Sequence, residues 1–127
     1  EGCIALFADR LGKRTLAISG ALLGVAAYLA LPGLSATGQV GWALLGVAGV
    51  YLGFEILVVG TIPIVSELAP QARGTMLSTA SAMQSAGRLL GAWIGLALFP
   101  LGIWPAALLA AAVNLIVSVI LWRWART

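Results

Sequence analysis

The stretch TLAISGALLGVAAYLALPGLSATGQVGWALLGVAGVYLGF, residues 15–54, carries no charged side chain and decides the class of fold. A second uncharged stretch runs from Leu89 to Trp122. A membrane-crossing helix needs roughly 20 mostly apolar residues. Each stretch holds two such helices if turn residues break it, and the candidates are Pro32-Gly33 with Ser35 and Gly38, and Pro100, Gly102 and Pro105. The sequence therefore predicts an all-α membrane protein with four transmembrane helices, at about 15–33, 40–65, 75–99 and 105–123.

Composition supports a lipid environment. The chain is 61% hydrophobic and 9% charged, whereas soluble domains are about a quarter charged. A soluble domain of this size buries only about two thirds of its surface, so this sequence would leave large apolar patches in water. We expect the lipid bilayer to be its main partner.

The basic residues predict the orientation in the membrane. Outside the apolar stretches, Lys and Arg lie before the first helix, between the second and third, and after the fourth, at Arg10, Lys13, Arg14, Arg73, Arg123 and Arg126. Such residues stay on the cytoplasmic side. We expect a multi-pass protein of the cell (inner) membrane with both ends cytoplasmic. The net charge of +3 is then explained by topology, and no nucleic-acid partner is expected.

Two charges lie deep within the predicted spans, Glu55 in the second helix and Arg88 in the third. Their distances along the chain from Glu67 and Arg73 give depths of about 18 and 22 Å at 1.5 Å per residue. An arginine at this depth must face protein or water and find a partner. The sequence predicts that the two side chains meet, directly or through water. Neighbouring polar residues extend the same cavity stripe, namely Tyr51, Ser81, Gln84 and Ser85.

This pair has two interpretations. It is either a static ion pair that fixes helix register, or a transport site in which Glu55 takes and releases a proton while Arg88 tunes it or binds an anionic group. Because the desolvation of a buried pair can cancel its attraction, we favour the transport site. Pro63 is expected to kink the second helix, either as a gate or as an ordinary irregularity.

Glycines recur every four residues in the third helix, at Gly87, Gly91 and Gly95. This spacing forms a groove that lets another helix approach closely. Shorter pairs occur at Gly20 and Gly24 and at Gly49 and Gly53. We interpret all three as helix-packing surfaces.

The segment ALFADRLGKRT, residues 5–15, resembles the cytoplasmic loop motif of the major facilitator superfamily. The matching residues are Asp9, Arg10, Gly12, Lys13 and Arg14, and Ala5 replaces the usual first glycine. The segment ELAPQARGTMLS, residues 67–78, is similar to the loop before the eleventh helix of drug and sugar efflux members.

The resemblance implies a C-terminal half fragment and a partial major facilitator bundle. Residues 1–14 are then the end of a missing upstream helix and a cytoplasmic loop, and residues 15–127 are the four-helix transmembrane domain. The implied function is secondary active efflux of a small molecule by alternating access, with the missing N-terminal half as partner. Asp9 has two interpretations: it either caps the start of the first helix or, as the resemblance implies, helps to lock the two halves together.

Enzymatic chemistry finds little support. The chain has no histidine and one cysteine, so metal clusters and histidine-based triads are not expected, nor is a cofactor. Two other membrane functions stay open. One is a small four-helix multidrug exporter that acts as a dimer, although such exporters carry their glutamate in the first helix. The other is a non-transporting assembly subunit.

Overall fold

The computed structural model describes residues 12–124, and these residues form four long helices. They are α1 (Lys13–Ala36), α2 (Val40–Leu68), α3 (Arg73–Leu98) and α4 (Ile103–Trp124). Short 3₁₀ turns at Pro70–Ala72 and Phe99–Leu101 join α2 to α3 and α3 to α4. The all-helical prediction is confirmed for this part of the chain, where no strand occurs.

Three of the four helices are long and apolar enough to cross a membrane, namely α1, α2 and α4. The α3 helix has 26 residues, which is long enough to span. Its composition is more polar, however, with Thr75, Ser78, Ser81, Gln84 and Arg88 in its sequence. The structure thus shows three candidate spans where four were predicted.

Of the turn residues that the sequence suggested between α1 and α2, Pro32, Gly33 and Ser35 lie within α1, and Gly38 lies at the turn. Helix α1 continues through Pro32 to Ala36. The Ser35 hydroxyl donates to the Pro32 carbonyl oxygen at 3.0 Å, and the Thr37 hydroxyl donates to the Leu34 carbonyl oxygen at 2.7 Å. Carbonyls at the helix end are satisfied locally. The chain turns at Gly38, whose φ of 71° suits a residue without a side chain.

The turn between α3 and α4 resembles the turn between α1 and α2, because one glycine redirects the chain in each. Helix α3 gives way to the 3₁₀ turn Phe99–Leu101, and Gly102, with φ of 93°, redirects the chain into α4. Pro105, predicted to lie at the break, lies in the first turn of α4. A proline is tolerated there because the first backbone N–H groups of a helix have no partner within it.

Helices α1 and α2 pack closely because their glycines face each other. A Cβ built on Gly53 would lie 2.8 Å from the Gly24 nitrogen, and one on Gly60 would lie 2.6 Å from the Ala17 nitrogen. A Cβ on Gly20 would lie 2.9 Å from the Gly53 carbonyl oxygen. Real side chains do not approach backbone atoms this closely, so any larger residue would separate the helices.

Helix α1 also packs against α4. Small residues of α4 are buried there, namely Ala107, Ala111 and Ser118. A Cβ on Gly24 would lie 3.1 Å from the Asn114 Oδ1 atom. Both polar side chains bond to their own helix: Asn114 donates to the Ala110 carbonyl oxygen and Ser118 to the Asn114 carbonyl oxygen. Helix α1 is therefore the central helix of the α2–α1–α4 group.

Helix α3 contributes no buried residue. Its predicted packing groove, Gly87, Gly91 and Gly95, meets nothing within 4 Å of the built Cβ positions. The expectation that this groove packs a helix is therefore not met within residues 12–124. The close contacts fall instead on Gly20, Gly24, Gly53 and Gly60, together with Gly46.

Candidate functional site

The α2–α3 hairpin brings the two mid-helix charges to the same region. The Arg88 guanidinium carbon lies 5.3 Å from the centroid of the Phe54 ring, directly beside Glu55 in sequence. At this distance the guanidinium is attracted to the π face of the ring. Phe54, which the sequence reasoning did not select, therefore positions the charge of α3 against α2.

Glu55 and Arg88 were predicted to meet directly or through water; the direct ion pair is not formed, and a water-mediated contact stays a prediction. Both residues are exposed, and neither makes a hydrogen bond or salt bridge to the other. Neighbouring residues of a helix project about 100° apart, and Arg88 lies over Phe54, so it meets the face of α2 that carries Phe54 and not the direction of Glu55. The structure thus places an acid and a base near one level of the hairpin, without neutralising either by direct contact.

The other predicted cavity residues occupy different positions. Gln84 is half-buried, and Ser81 and Ser85 are exposed. The Ser85 hydroxyl donates to the Ser81 carbonyl oxygen at 3.0 Å, a bond within its own helix. Tyr51 is 67% exposed, one turn before Glu55.

A cleft of about 490 Å³ lies between α2 and α3. Its α2 wall consists mainly of branched apolar side chains: Val58, Thr61, Ile62 and Val65. The Thr61 hydroxyl on this wall donates to the Leu57 carbonyl oxygen, so its proton is already engaged. The α2 wall is therefore largely apolar in character.

The α3 wall of the cleft is different. It contains Leu77, Ala80, Ser81 and Gln84. The side-chain amide of Gln84 and the hydroxyl of Ser81 make no hydrogen bond to any residue in the described range 12–124. Of the predicted cavity residues, Ser81 and Gln84 line the cleft, whereas Glu55, Arg88, Tyr51 and Ser85 do not.

Helix α2 remains continuous through Pro63. The Ser66 hydroxyl donates to the Pro63 carbonyl oxygen at 2.9 Å. Proline cannot donate to the carbonyl one turn earlier, so the helix lacks one backbone bond beside the cleft. Its role as a kink or gate stays a prediction.

The charged ends of the helices form a second cluster, which we call the basic end: residues 12–14, 67–73 and 122–124. Lys13 forms an ion pair with Glu67, and the Arg14 guanidinium donates to the Trp124 carbonyl oxygen. The start of α1 is thereby linked to the ends of α2 and α4. Glu67 was not selected from sequence, although its position at the end of the longest apolar helix was a usable signal.

The loop motif can be described only in part. Gly12, Lys13 and Arg14 lie within the structure, and Gly12 has a φ of 79° immediately before α1. Asp9 and Arg10 lie outside the described residues. The backbone conformation therefore explains the glycine at this position of the motif, since residues with a side chain rarely adopt a positive φ.

The chain was compared with protein-family models, with curated proteins and with solved structures, and none of them matches it.

Proposed function

We propose that this chain is part of a secondary active transporter of the major facilitator type, which moves a small molecule across the membrane by alternating access. The observation that carries the proposal is the exposed pair of opposite charges, Glu55 and Arg88, within the α2–α3 hairpin. Ionisable residues within membrane helices are costly and mark substrate or ion pathways.

A purely structural role for these charges fits the geometry less well. An ion pair that fixes helix register would join the two side chains, and here they do not touch. Arg88 rests on an aromatic ring instead. Glu55 has no hydrogen-bond or ion-pair partner in the part of the chain that the structure describes, and such a carboxylate is suited to exchange protons with a water-filled cavity. In this proposal Glu55 carries the coupling proton and Arg88 attracts an anionic or polar group of the cargo.

Helix α3 completes the proposal as a fourth span. Its 26 residues are sufficient to cross the bilayer, and its polar residues require a protein or water environment. The unoccupied groove at Gly87, Gly91 and Gly95 supplies a surface on which a further helix of the transporter could lie closely. The basic end would face the cytoplasm because it holds Lys13, Arg14, Arg73 and Arg123.

The test is a neutral substitution in the full-length protein. Glu55→Gln keeps the size of the side chain and removes the titrating proton. Everted membrane vesicles would be assayed for transport of ethidium and N-phenyl-1-naphthylamine, with and without an imposed proton gradient. We expect proton-driven transport to be lost while exchange down a substrate gradient is retained. Unchanged proton-driven transport would contradict the role of Glu55.

Glu67→Gln is the matched control. It makes the same chemical change on the same helix, at the exposed basic end. Proton coupling should survive in this variant, since Glu67 pairs with Lys13 outside the apolar region. Equal loss in both variants would point to a general effect of removing acid from α2.

A second candidate is a self-sufficient small exporter that acts as a dimer. The observation in its favour is that Glu55 is exposed in the middle of α2, away from Glu67 at the basic end, so a second copy could cover it. Proteoliposomes that contain only this chain distinguish the two candidates. Transport by the chain alone favours the exporter, whereas activity only with a co-expressed N-terminal half favours the larger transporter.

A further inference from the structure

We infer that the α2–α3 cleft binds an uncharged amphiphilic small molecule, with its apolar body on the α2 wall and its hydrogen-bonding group on Gln84 and Ser81. The inference rests on the proposed function only in treating this molecule as cargo. A volume of about 490 Å³ lies within the usual range of small-molecule sites, roughly 300–1,000 Å³.

The two walls of the cleft differ in polarity, and this difference specifies the ligand. Val58, Ile62 and Val65 offer only hydrocarbon on the α2 side. The α3 side offers an amide, which can donate and accept, and a hydroxyl. An amphiphile with one amide, ester or hydroxyl group satisfies both walls at once.

A charged ligand body fits this cleft poorly. No charged side chain of residues 12–124 lines it, since Glu55 and Arg88 lie outside the lining. An ion placed against these apolar side chains would lose its hydration without an opposite charge in return. The charges at the deeper end of the hairpin are left free for the proton and for any polar tail of the cargo.

A lipid acyl chain fits less well than an amphiphile. Hydrocarbon in the cleft would cover the half-buried amide of Gln84 and provide no hydrogen bond. Leaving a polar group unpaired in an apolar setting is unfavourable. An occupant that carries its own donor or acceptor removes this penalty.

The experiment is photolabelling of the full chain in lipid nanodiscs with 4-benzoyl-N-hexylbenzamide, a neutral amide that carries a benzophenone. Labelled peptides are mapped by mass spectrometry. We expect labelling concentrated on residues 58–65 and 77–84, with competition by non-reactive N-hexylbenzamide. Labelling spread evenly over the exposed helix surfaces would overturn the inference, because it would indicate partition into lipid alone.

Two variants test the walls separately. Ala80→Phe fills the cleft, and its matched control, Ala82→Phe, adds the same bulk two residues away at a position outside the lining. Labelling should fall in the first variant and persist in the second. Gln84→Leu keeps the approximate shape but removes the amide, so half-saturation should require roughly tenfold more photolabel. Circular dichroism checks that each variant stays helical, and equal labelling in all of them would contradict the inference.

Competition by hexadecane distinguishes the source of the ligand. If hexadecane competes as well as N-hexylbenzamide, the cleft is a lipid-filled crevice and the inference fails. The outcome is also independent of transport. Loss of specific labelling with intact Glu55-dependent transport would reject this site alone, whereas specific labelling without proton-coupled transport would reject the proposed function alone.

Discussion

The interface between α1 and α2 and the surface of α3 carry glycines at similar spacing, but they behave in opposite ways. At the first, Gly20, Gly53 and Gly60 bring two backbones together. At the second, a Cβ on Gly87, Gly91 or Gly95 would meet no other described residue within 4 Å. Glycine spacing therefore identifies a surface that permits close approach, and the facing helix decides whether the approach takes place.

The two regions also differ in what surrounds the glycines. In α1 the glycines lie among alanines and leucines on a helix that is central to the structure, and Leu16, Ala17 and Ala21 are buried beside them. In α3 they flank Arg88 and large exposed side chains such as Leu90 and Trp93. Helix α3 therefore combines a surface for close helix packing with a charge that needs a protein or water environment, and α1, α2 and α4 provide neither a packed helix nor an opposite charge at this surface.

The sharpest test of the comparison is one substitution made in both regions. Gly20→Ala places a methyl group against the backbone of α2 and should cost about 1–3 kcal/mol of unfolding free energy. Gly91→Ala adds the same methyl group in open space and should stabilise α3 by about 0.5–1 kcal/mol, because alanine favours helix. Denaturation in mixed detergent micelles measures both. Losses of equal size would remove the distinction between the regions.

An intermediate effect is expected at Gly24, where the neighbour is a side chain. The built Cβ lies 3.1 Å from the Asn114 Oδ1 atom, which can move, so Gly24→Ala should cost about 1 kcal/mol, less than Gly20→Ala. The same denaturation assay applies. Asn114→Ala removes the obstacle, and in that background the cost should shrink. If Asn114→Ala leaves the cost of Gly24→Ala unchanged, the destabilisation does not arise from the contact with the Asn114 side chain.

The contact between α3 and α2 should have a smaller effect. A double-mutant cycle with Phe54→Leu and Arg88→Leu isolates the attraction between guanidinium and ring, which is expected to contribute about 0.5–1 kcal/mol. Phe99→Leu, at an exposed ring near the end of α3, is the control and should show no coupling to Arg88. Zero coupling energy between Phe54 and Arg88 would show that this contact does not stabilise the packing of α3 on α2.

The smallest effect is expected at the basic end. Lys13 and Glu67 are about half-exposed, at 46% and 56% for their side chains. An exposed pair contributes roughly 0.2–1 kcal/mol and is screened by salt. The coupling energy measured in a double-mutant cycle with Lys13→Met and Glu67→Gln should therefore decline in 1 M NaCl, where the Debye length is about 3 Å. A coupling that does not respond to salt would show that the pair is shielded from solvent.

The helices could be predicted largely from charge and hydropathy, because a charge is costly in lipid and long uncharged segments are rare otherwise. The predicted limits differ from the observed ones by three residues or fewer, for example 33 against Ala36 and 65 against Leu68. The predicted end at residue 33 is three residues early because a proline removes only one backbone bond, and the helix continues to Ala36 before Gly38 turns the chain.

The site was less predictable from sequence. Counting residues along a hairpin gives depth, and Arg88 does lie beside residue 54. Depth does not specify the direction in which a side chain points around its helix. The Arg88 guanidinium contacts the ring of Phe54, which precedes Glu55 in the sequence. Likewise, the spacing of Gly87, Gly91 and Gly95 is visible in the sequence, but the presence of a partner helix is not.

The length of α2 has a mechanical consequence in a bilayer. Its 29 residues extend over about 44 Å at 1.5 Å per residue, compared with a hydrocarbon layer of about 30 Å. Such a mismatch is accommodated by inclination of the helix, by a bend or by local thickening of the membrane. Because its glycines hold α2 against α1, the two helices must lean together as one rigid pair. Membrane thickness would then set the angle of that pair, and lipids with shorter acyl chains should increase its inclination.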